Sequence, residues 1–173
     1  MALIYTPLFL LFYKFLGEIL SQLAFNKRDN YTRCMNSAVY LLAMREHSRS
    51  EIRNKLKRKE CSDNVDLDAL LDKLEEKDYL NEERFTESFI RYRVSRGQGS
   101  IKIVNELKIR GISSYLINRS IQKLEIDWEQ VAIEQREKKF GDGQPIDIRE
   151  KARQVRFLSG RGFPFRIIYS VVD

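Results

Sequence analysis

The chain has 173 residues, 43% hydrophobic and 32% charged, an ordinary soluble composition long enough for one domain or a row of small units. A formal charge of +6 and a pI near 9.3 point to an anionic partner. Cys34, Cys61 and His47 are too few for a zinc-ligand pattern and lack C-x-x-C spacing. No metal or other cofactor is therefore expected, and the expected location is a reducing cytoplasm.

Residues 1–25, "MALIYTPLFLLFYKFLGEILSQLAF", are rich in leucine and aromatics, but Lys14 and Glu18 interrupt the run well short of the roughly 20 apolar residues of a membrane span. A secretory signal would need basic residues before the run and a small-residue cleavage site after it. Two readings remain: an amphipathic helix that packs on something, or sequence upstream of a later start such as Met35, the second being preferred. Residues 1–35 are accordingly set apart as an extension.

From Met35 the chain is punctuated as helices. "SRSE", Ser48 to Glu51, has capping-box spacing and predicts a helix start, with Ile52 and Leu56 on its buried side and basic residues outward. Asn81 precedes "EERFTESFIRYRVSR" as a cap, and Asp127 does the same for "DWEQVAIEQREKKF". Gly97, Gly111, Gly141 and Gly162 follow helix ends, where a residue without Cβ can take the left-handed conformation. Nothing reads as a strand.

"LKIRGIS" (107–113) returns as "LSGRGFP" (158–164): Leu107, Arg110, Gly111 and Ile112 stand 51 positions before Leu158, Arg161, Gly162 and Phe163. The same offset carries Ile117 onto Ile168, and moving back lands on a degraded copy, "LKRKECS", with Leu56, Lys59 and Cys61. The predicted helices are 36–47, 49–59 and 66–77; then 82–96, 100–110 and 114–124; then 127–140, 147–160 and 164–172, within about 2 to 4 residues. They define repeats 36–80, 81–126 and 127–173. The fold class is thus all-α, three tandem three-helix (helix-turn-helix-like) repeats stacked as an elongated curved array, since units this small bury little alone.

Every second helix with its flank is basic. Residues 49–59 hold six basic residues against Glu51, residues 91–110 hold Arg91, Arg93, Arg96, Lys102, Lys108 and Arg110 against Glu106, and residues 149–166 hold six against Glu150. An acidic block at 60–87 carries eleven carboxylates against three cations. Such runs commonly mark solvated helix faces, yet recurrence at equivalent repeat positions suits an extended anionic assembly.

"REHSRSEIRNKL" (45–56), "YLNEERFTESFIRYRVSRGQGSIKIVNELKIRGIS" (79–113) and "KARQVRFLSGRGF" (151–163) resemble the three signature regions of the RecX family, regulators of the bacterial recombinase RecA. The resemblance implies a modular helical protein that lies along the groove of the RecA filament on DNA and restrains filament growth, ATP hydrolysis, strand exchange and co-protease activity. Matching positions are Phe85, Phe89, Arg91, Arg93, Gly97, Gly99, Leu107, Arg110 and Gly111, with Arg156, Leu158, Arg161, Gly162 and Phe163. Where the family often has proline after the second glycine this chain has Ser100, read as the alternative cap.

The expected function is a non-enzymatic negative modulator of RecA, a monomer that engages the filament and its nucleic acid, weakly and without sequence preference, through several modest contacts. The expected contacts are Arg91, Arg93, Arg96, Lys102, Lys108 and Arg110, with Arg149, Lys151, Arg153, Arg156 and Arg161; Ser48, Glu51, Gly97, Gly111, Asp127 and Gly162 are read as caps and turns. No membrane partner is expected. The rival is a duplex-reading helix-turn-helix regulator, for which "YLINRSIQKL" and "FRIIYSVV" look too apolar. Asp142 and Asp147 could be imagined as nuclease metal ligands but read as turn chemistry, His47 as a capping or surface group, and Trp128 as a repeat-junction anchor.

Overall fold

The computed structural model describes the backbone of residues 7–173, and side chains at Gly17, Leu20, Ser21, Gln22 and from Arg28 onward. The described residues form α1 (Pro7–Met44), α2 (Arg49–Leu56), a 3₁₀ turn (Glu60–Ser62), α3 (Leu67–Glu76), α4 (Glu82–Ser95), α5 (Ser100–Ile109), α6 (Ser114–Lys123), α7 (Trp128–Phe140), α8 (Ile148–Arg161) and α9 (Phe165–Val172), with no strand among them. The expected helices are present. The first is much longer than expected, because the helix of the first repeat continues without a break back to Pro7. What the apolar side chains of residues 1–16 pack against lies outside the described residues.

The described residues divide into two compact units, those up to residue 45 with 51–80, and residues 46–50 with 81–173. In the first, Cys34, Ala38, Ile52, Leu56, Cys61, Leu70, Leu71, Leu74 and Leu80 form one buried cluster. The second holds two: Phe85, Ile90, Ile103, Leu107, Ile112 and Ile117, then Ala132, Leu158, Phe163, Ile168, Val171 and Val172. Leu56, Leu107 and Leu158 are each fully buried, and Cys61, Ile112 and Phe163 are each nearly so. The sequence echo is therefore a repeated core position, where truncation of a leucine to alanine costs roughly 2–5 kcal/mol.

The first repeat departs from the others after Cys61. Its 3₁₀ turn and the following residues change the spacing, so that Leu70 and Leu74 correspond to Ile117 and Ile121 at a separation of 47 rather than 51. Asp66 caps α3 by accepting from the backbone N–H groups of Asp68 and Ala69, as Ser113 caps α6 through Leu116.

Local signals act as expected at most helix ends. The Asn81 side chain accepts from the Arg84 N–H, and that of Asp127 from Glu129 and Gln130. Gly97, Gly111, Gly141 and Gly162 all have positive φ. Helix α2 starts at Arg49, directly after Ser48; the Ser48 hydroxyl also donates to the Arg110 carbonyl at 3.1 Å, and Glu51 pairs with Arg45 at 3.1 Å. Two expectations are corrected. His47 is buried, 1% exposed, and not a surface group. Ser100 is the first helical residue of α5 and not its cap: Gly99 stands at that position with no side-chain cap.

Backbone groups distant in sequence replace that cap. The N–H of Gly99 donates to the Arg161 carbonyl at 2.9 Å and that of Ile101 to the Gly162 carbonyl at 3.0 Å, so two of the otherwise orphaned donors at the start of α5 are satisfied by the turn that ends α8. The equivalent positions one repeat earlier use side chains. The hydroxyls of Ser48 and Ser50 both donate to the Arg110 carbonyl, at 3.1 and 2.8 Å. The residues of each "RG" turn thus close their own helix and present a carbonyl to residues 48–50 or 99–101. Trp128, at the start of α7, packs against the core of the preceding repeat, which makes it the junction anchor expected of it.

Candidate partner-binding surface

The basic residues singled out in the second unit separate into two groups. In the first group the cation is engaged by other groups of the protein itself. Arg93 on α4 forms an ion pair with Glu106 on α5 at 2.5 Å, both side chains less than a quarter exposed. Arg110 donates to the Glu106 carbonyl at 2.7 Å, and both arginines lie over the Phe89 ring, at 4.9 and 4.7 Å from its centroid. One glutamate and one aromatic ring therefore hold two cations between α4 and the end of α5. Arg161 donates to the carbonyls of Arg96 and Gly97 at 3.0 and 3.1 Å and lies over Phe157, joining the end of α8 to the end of α4. Lys151 pairs with Asp173.

The second group faces outward. Arg91 on α4, Lys108 on α5, and Arg149 and Arg156 on α8 are exposed, Lys102 is half-buried, and none of the five has an ionic or hydrogen-bonding side-chain partner among the described residues. Arg96 and Arg153 are exposed and lie over the rings of Tyr92 and Phe140. On α8 the residues Arg149, Arg153 and Arg156 follow i, i+4, i+7 spacing, opposite the buried Gln154 and Leu158. They form one cationic stripe on that helix. At Arg96, Lys102 and Arg161 the junction itself is cationic, since Gly162 abuts the Lys102 side chain while Arg161 reaches the Arg96 carbonyl.

Several residues stand outside the contacts expected from sequence. Arg166 and Arg119 are exposed cations with no partner among the described residues. Phe165 and Tyr169, stacked with ring centroids 6.2 Å apart, stand exposed beside Arg166 on α9. Arg136 is 5% exposed and donates to the carbonyls of Asp142 and Gly143, pinning the loop after α7. Its position matches Phe85 one repeat earlier, so the core alignment held a clue, but an arginine there reads from sequence as one more surface cation.

The two acidic residues weighed as metal ligands lie between α7 and α8. Asp147 caps α8, its side chain accepting from the Glu150 N–H at 2.7 Å, which is turn chemistry as expected, whereas at Asp142 the backbone carbonyl and not the carboxylate is held by Arg136. No group of three His, Cys, Asp or Glu side chains among the described residues could hold a metal ion. Lys123 bridges Glu83 and Glu87 across α4 and α6, and these hydrogen bonds, Glu87 first, raise its ammonium above the ordinary lysine range. Helix α6 is amphipathic, exposing Ser114, Tyr115, Asn118, Arg119 and Gln122 while burying Ile117 and Ser120, and is therefore more polar outward than its composition suggested. No helix among the described residues is long and apolar enough to cross a membrane.

Comparison with known proteins matches residues 34–65, 81–121 and 125–172 to the first, second and third three-helix domains of RecX. The chain is 41% identical over 140 residues to a "Regulatory protein RecX" of Pseudomonas savastanoi pv. phaseolicola (strain 1448A / Race 6), covering 81% of this chain and 90% of that one. It is 43% identical over 128 residues to the protein of the same name from Halorhodospira halophila (strain DSM 244 / SL1), covering 74% and 79%. Among solved structures, RecX from Lactobacillus salivarius superposes with a TM-score of 0.69 at 20% identity, over 84% of this chain and 96% of that chain. A second crystal structure of regulatory protein RecX gives a TM-score of 0.70 at 16% identity, over 83% and 73%. At such identities these two likenesses concern the fold.

Proposed function

The chain belongs to the RecX family of regulatory proteins, and from that premise we propose that it is a negative modulator of RecA, acting in the cytoplasm as a non-enzymatic monomer. It binds the RecA nucleoprotein filament and restrains its extension, and with it ATP hydrolysis, strand exchange and co-protease activity. The observation that carries this reading is the division of the basic residues. Arg91, Lys102, Lys108, Arg149 and Arg156 have no ionic partner among the described residues, while neighbouring arginines are engaged in the fold. Cations available across two successive repeats suit a periodic partner carrying phosphate and carboxylate groups, where each further contact is intramolecular once the first has formed.

The deciding experiment follows RecA-driven ATP hydrolysis on single-stranded DNA with this protein below stoichiometric amounts. Hydrolysis slows progressively as RecA exchanges on the DNA. Unchanged hydrolysis at every ratio, with the protein folded, overturns the function. Binding to naked DNA serves as the companion measurement: it is weak, indifferent to sequence at fixed salt, and weaker still as salt rises.

A further inference from the structure

The first unit contains a pair of core side chains whose chemistry, as opposed to their volume, neither the basic surface nor the repeat packing uses. Cys34, on α1, and Cys61, in the 3₁₀ turn, are 0% and 4% exposed, and their sulfur atoms lie 2.6 Å apart. Both are free thiols. At the corresponding positions the second repeat packs Phe85 and Ile112 and the third packs Arg136 and Phe163, so the fold requires filled volume there and not sulfur. Only the first repeat places two thiols in contact, 27 residues apart in sequence.

We propose that Cys34 and Cys61 form a thiol–disulfide exchange site, whose oxidation by a small-molecule disulfide such as oxidised glutathione staples the 3₁₀ turn to α1. The two sulfur atoms are already in contact between α1 and the 3₁₀ turn, which is the first geometric requirement for a bond between them. Exchange proceeds in two displacements. The thiolate of one cysteine attacks the glutathione disulfide, forming a mixed disulfide and expelling one glutathione thiolate. The thiolate of the second cysteine then attacks the protein sulfur of that mixed disulfide, forming the Cys34–Cys61 bond and expelling the second glutathione thiolate. The two protein thiol protons pass through solvent to the two leaving thiolates, and glutathione disulfide takes up the two electrons.

The surroundings make the closed pair slow to react. Burial first, then the hydrogen bond and charge of the Cys61 sulfur, push the Cys34 thiol up to about 12, so it stays protonated at neutral pH. Reaction therefore waits for local opening of the turn, which is tied by Ser62 N–H to the Lys59 carbonyl at 3.0 Å, Asp63 N–H to Glu60 at 3.4 Å, Val65 N–H to the Ser62 carbonyl at 3.2 Å, the Asn30 amide to the Asp63 carbonyl at 3.3 Å and the Lys59 ammonium to the Ser37 hydroxyl at 3.2 Å. Residues 57–60 around it are exposed. Once formed, the bond closes a loop that the unfolded chain would otherwise explore freely, so the oxidised first unit resists unfolding more than the reduced one.

The full chain, equilibrated natively in oxidised and reduced glutathione mixtures, is quenched with an alkylating reagent in denaturant and weighed intact. As the oxidised form is raised, the doubly alkylated species gives way to a monomer that has lost two hydrogen atoms and carries no alkyl group, and dithiothreitol restores two alkylation sites. Its first thermal transition moves upward on oxidation, reversibly. The Cys34→Ser chain gives at most a single glutathione adduct. Two persistent alkylations in the most oxidising mixture, two glutathione adducts per chain, or disulfide-linked dimers as the main product would each overturn the proposal. If the serine variant does not fold, the wild-type masses decide alone.

Discussion

A Cβ added to Gly99 would stand inside the van der Waals shell of the Gly162 carbonyl, and one added to Gly162 would strike the Lys102 side chain and backbone. These two glycines, far apart in sequence, allow the start of α5 to sit directly on the turn that ends α8. Gly99 has φ −82° and could be any residue by conformation alone; its constraint is purely the approach of another backbone. Gly162, at φ +88°, is constrained twice.

Gly99→Ala and Gly162→Ala are accordingly expected to destabilise the second unit by roughly 2–4 kcal/mol, combining overpacking with left-handed strain at the second site. Gly160→Ala is the internal control. It lies in α8 with nothing within 4 Å of a new Cβ and should stabilise by about 0.5–1 kcal/mol. Urea melts of the three variants check the ordering, and a Gly99→Ala melt equal to wild type would show that the close approach is absent in solution.

Arg161 and Arg156 should behave oppositely although both are basic residues of α8. Arg161→Ala removes charge-assisted hydrogen bonds to the Arg96 and Gly97 carbonyls and is expected to cost roughly 1.5–3 kcal/mol of stability. Lysine rescues it poorly because one compact ammonium does not reproduce the guanidinium's fork and its stacking on Phe157. Arg156→Ala leaves the melt within about 0.5 kcal/mol of wild type. Under the proposed function, combining it with Arg91→Ala and Lys108→Ala is expected to weaken the slowing of RecA ATP hydrolysis and to flatten its salt dependence.

Removing Glu106 leaves Arg93 and Arg110 together over the Phe89 ring without their shared carboxylate, whereas removing Arg93 leaves Glu106 with Arg110 at 3.9 Å, so Glu106→Ala is expected to cost more stability than Arg93→Ala. A double-mutant cycle should return a coupling of about 1–3 kcal/mol. Arg110, which shares the Phe89 ring with Arg93 and lies 3.9 Å from the same Glu106 carboxylate, should show altered sensitivity in the Arg93→Ala background, read by the same melts.

The Lys123 bridge is exposed and should respond to solution conditions. Because Glu87 and Glu83 raise the lysine above its ordinary value, its stabilising effect is fully present below the ordinary lysine range and is lost only as pH rises through the raised one. Neutral-pH melts should therefore be flat with respect to this group. Any difference between Lys123→Met and wild type should shrink as salt screens the pair, and a difference independent of salt would assign the effect to packing instead.

Much of this protein is written locally. The helix starts at Asn81, Ser113 and Asp127 follow from side chains that reach donors two or three residues away, and the leucines at 56, 107 and 158 follow from helical periodicity. Such contacts depend on a few neighbouring residues, and so the helices, the threefold repeat and the family are legible without coordinates. Which arginines are structural is a different matter, settled by packing. Arg161 and Arg156 read alike in "RQVRFLSGRG", and what separates them is a pair of carbonyls 65 and 64 positions away. The same holds for Gly99 against Gly162, for buried Arg136, and for Cys34 beside Cys61: periodicity assigns a face to each residue, but the neighbour that face meets is chosen by contacts between distant segments.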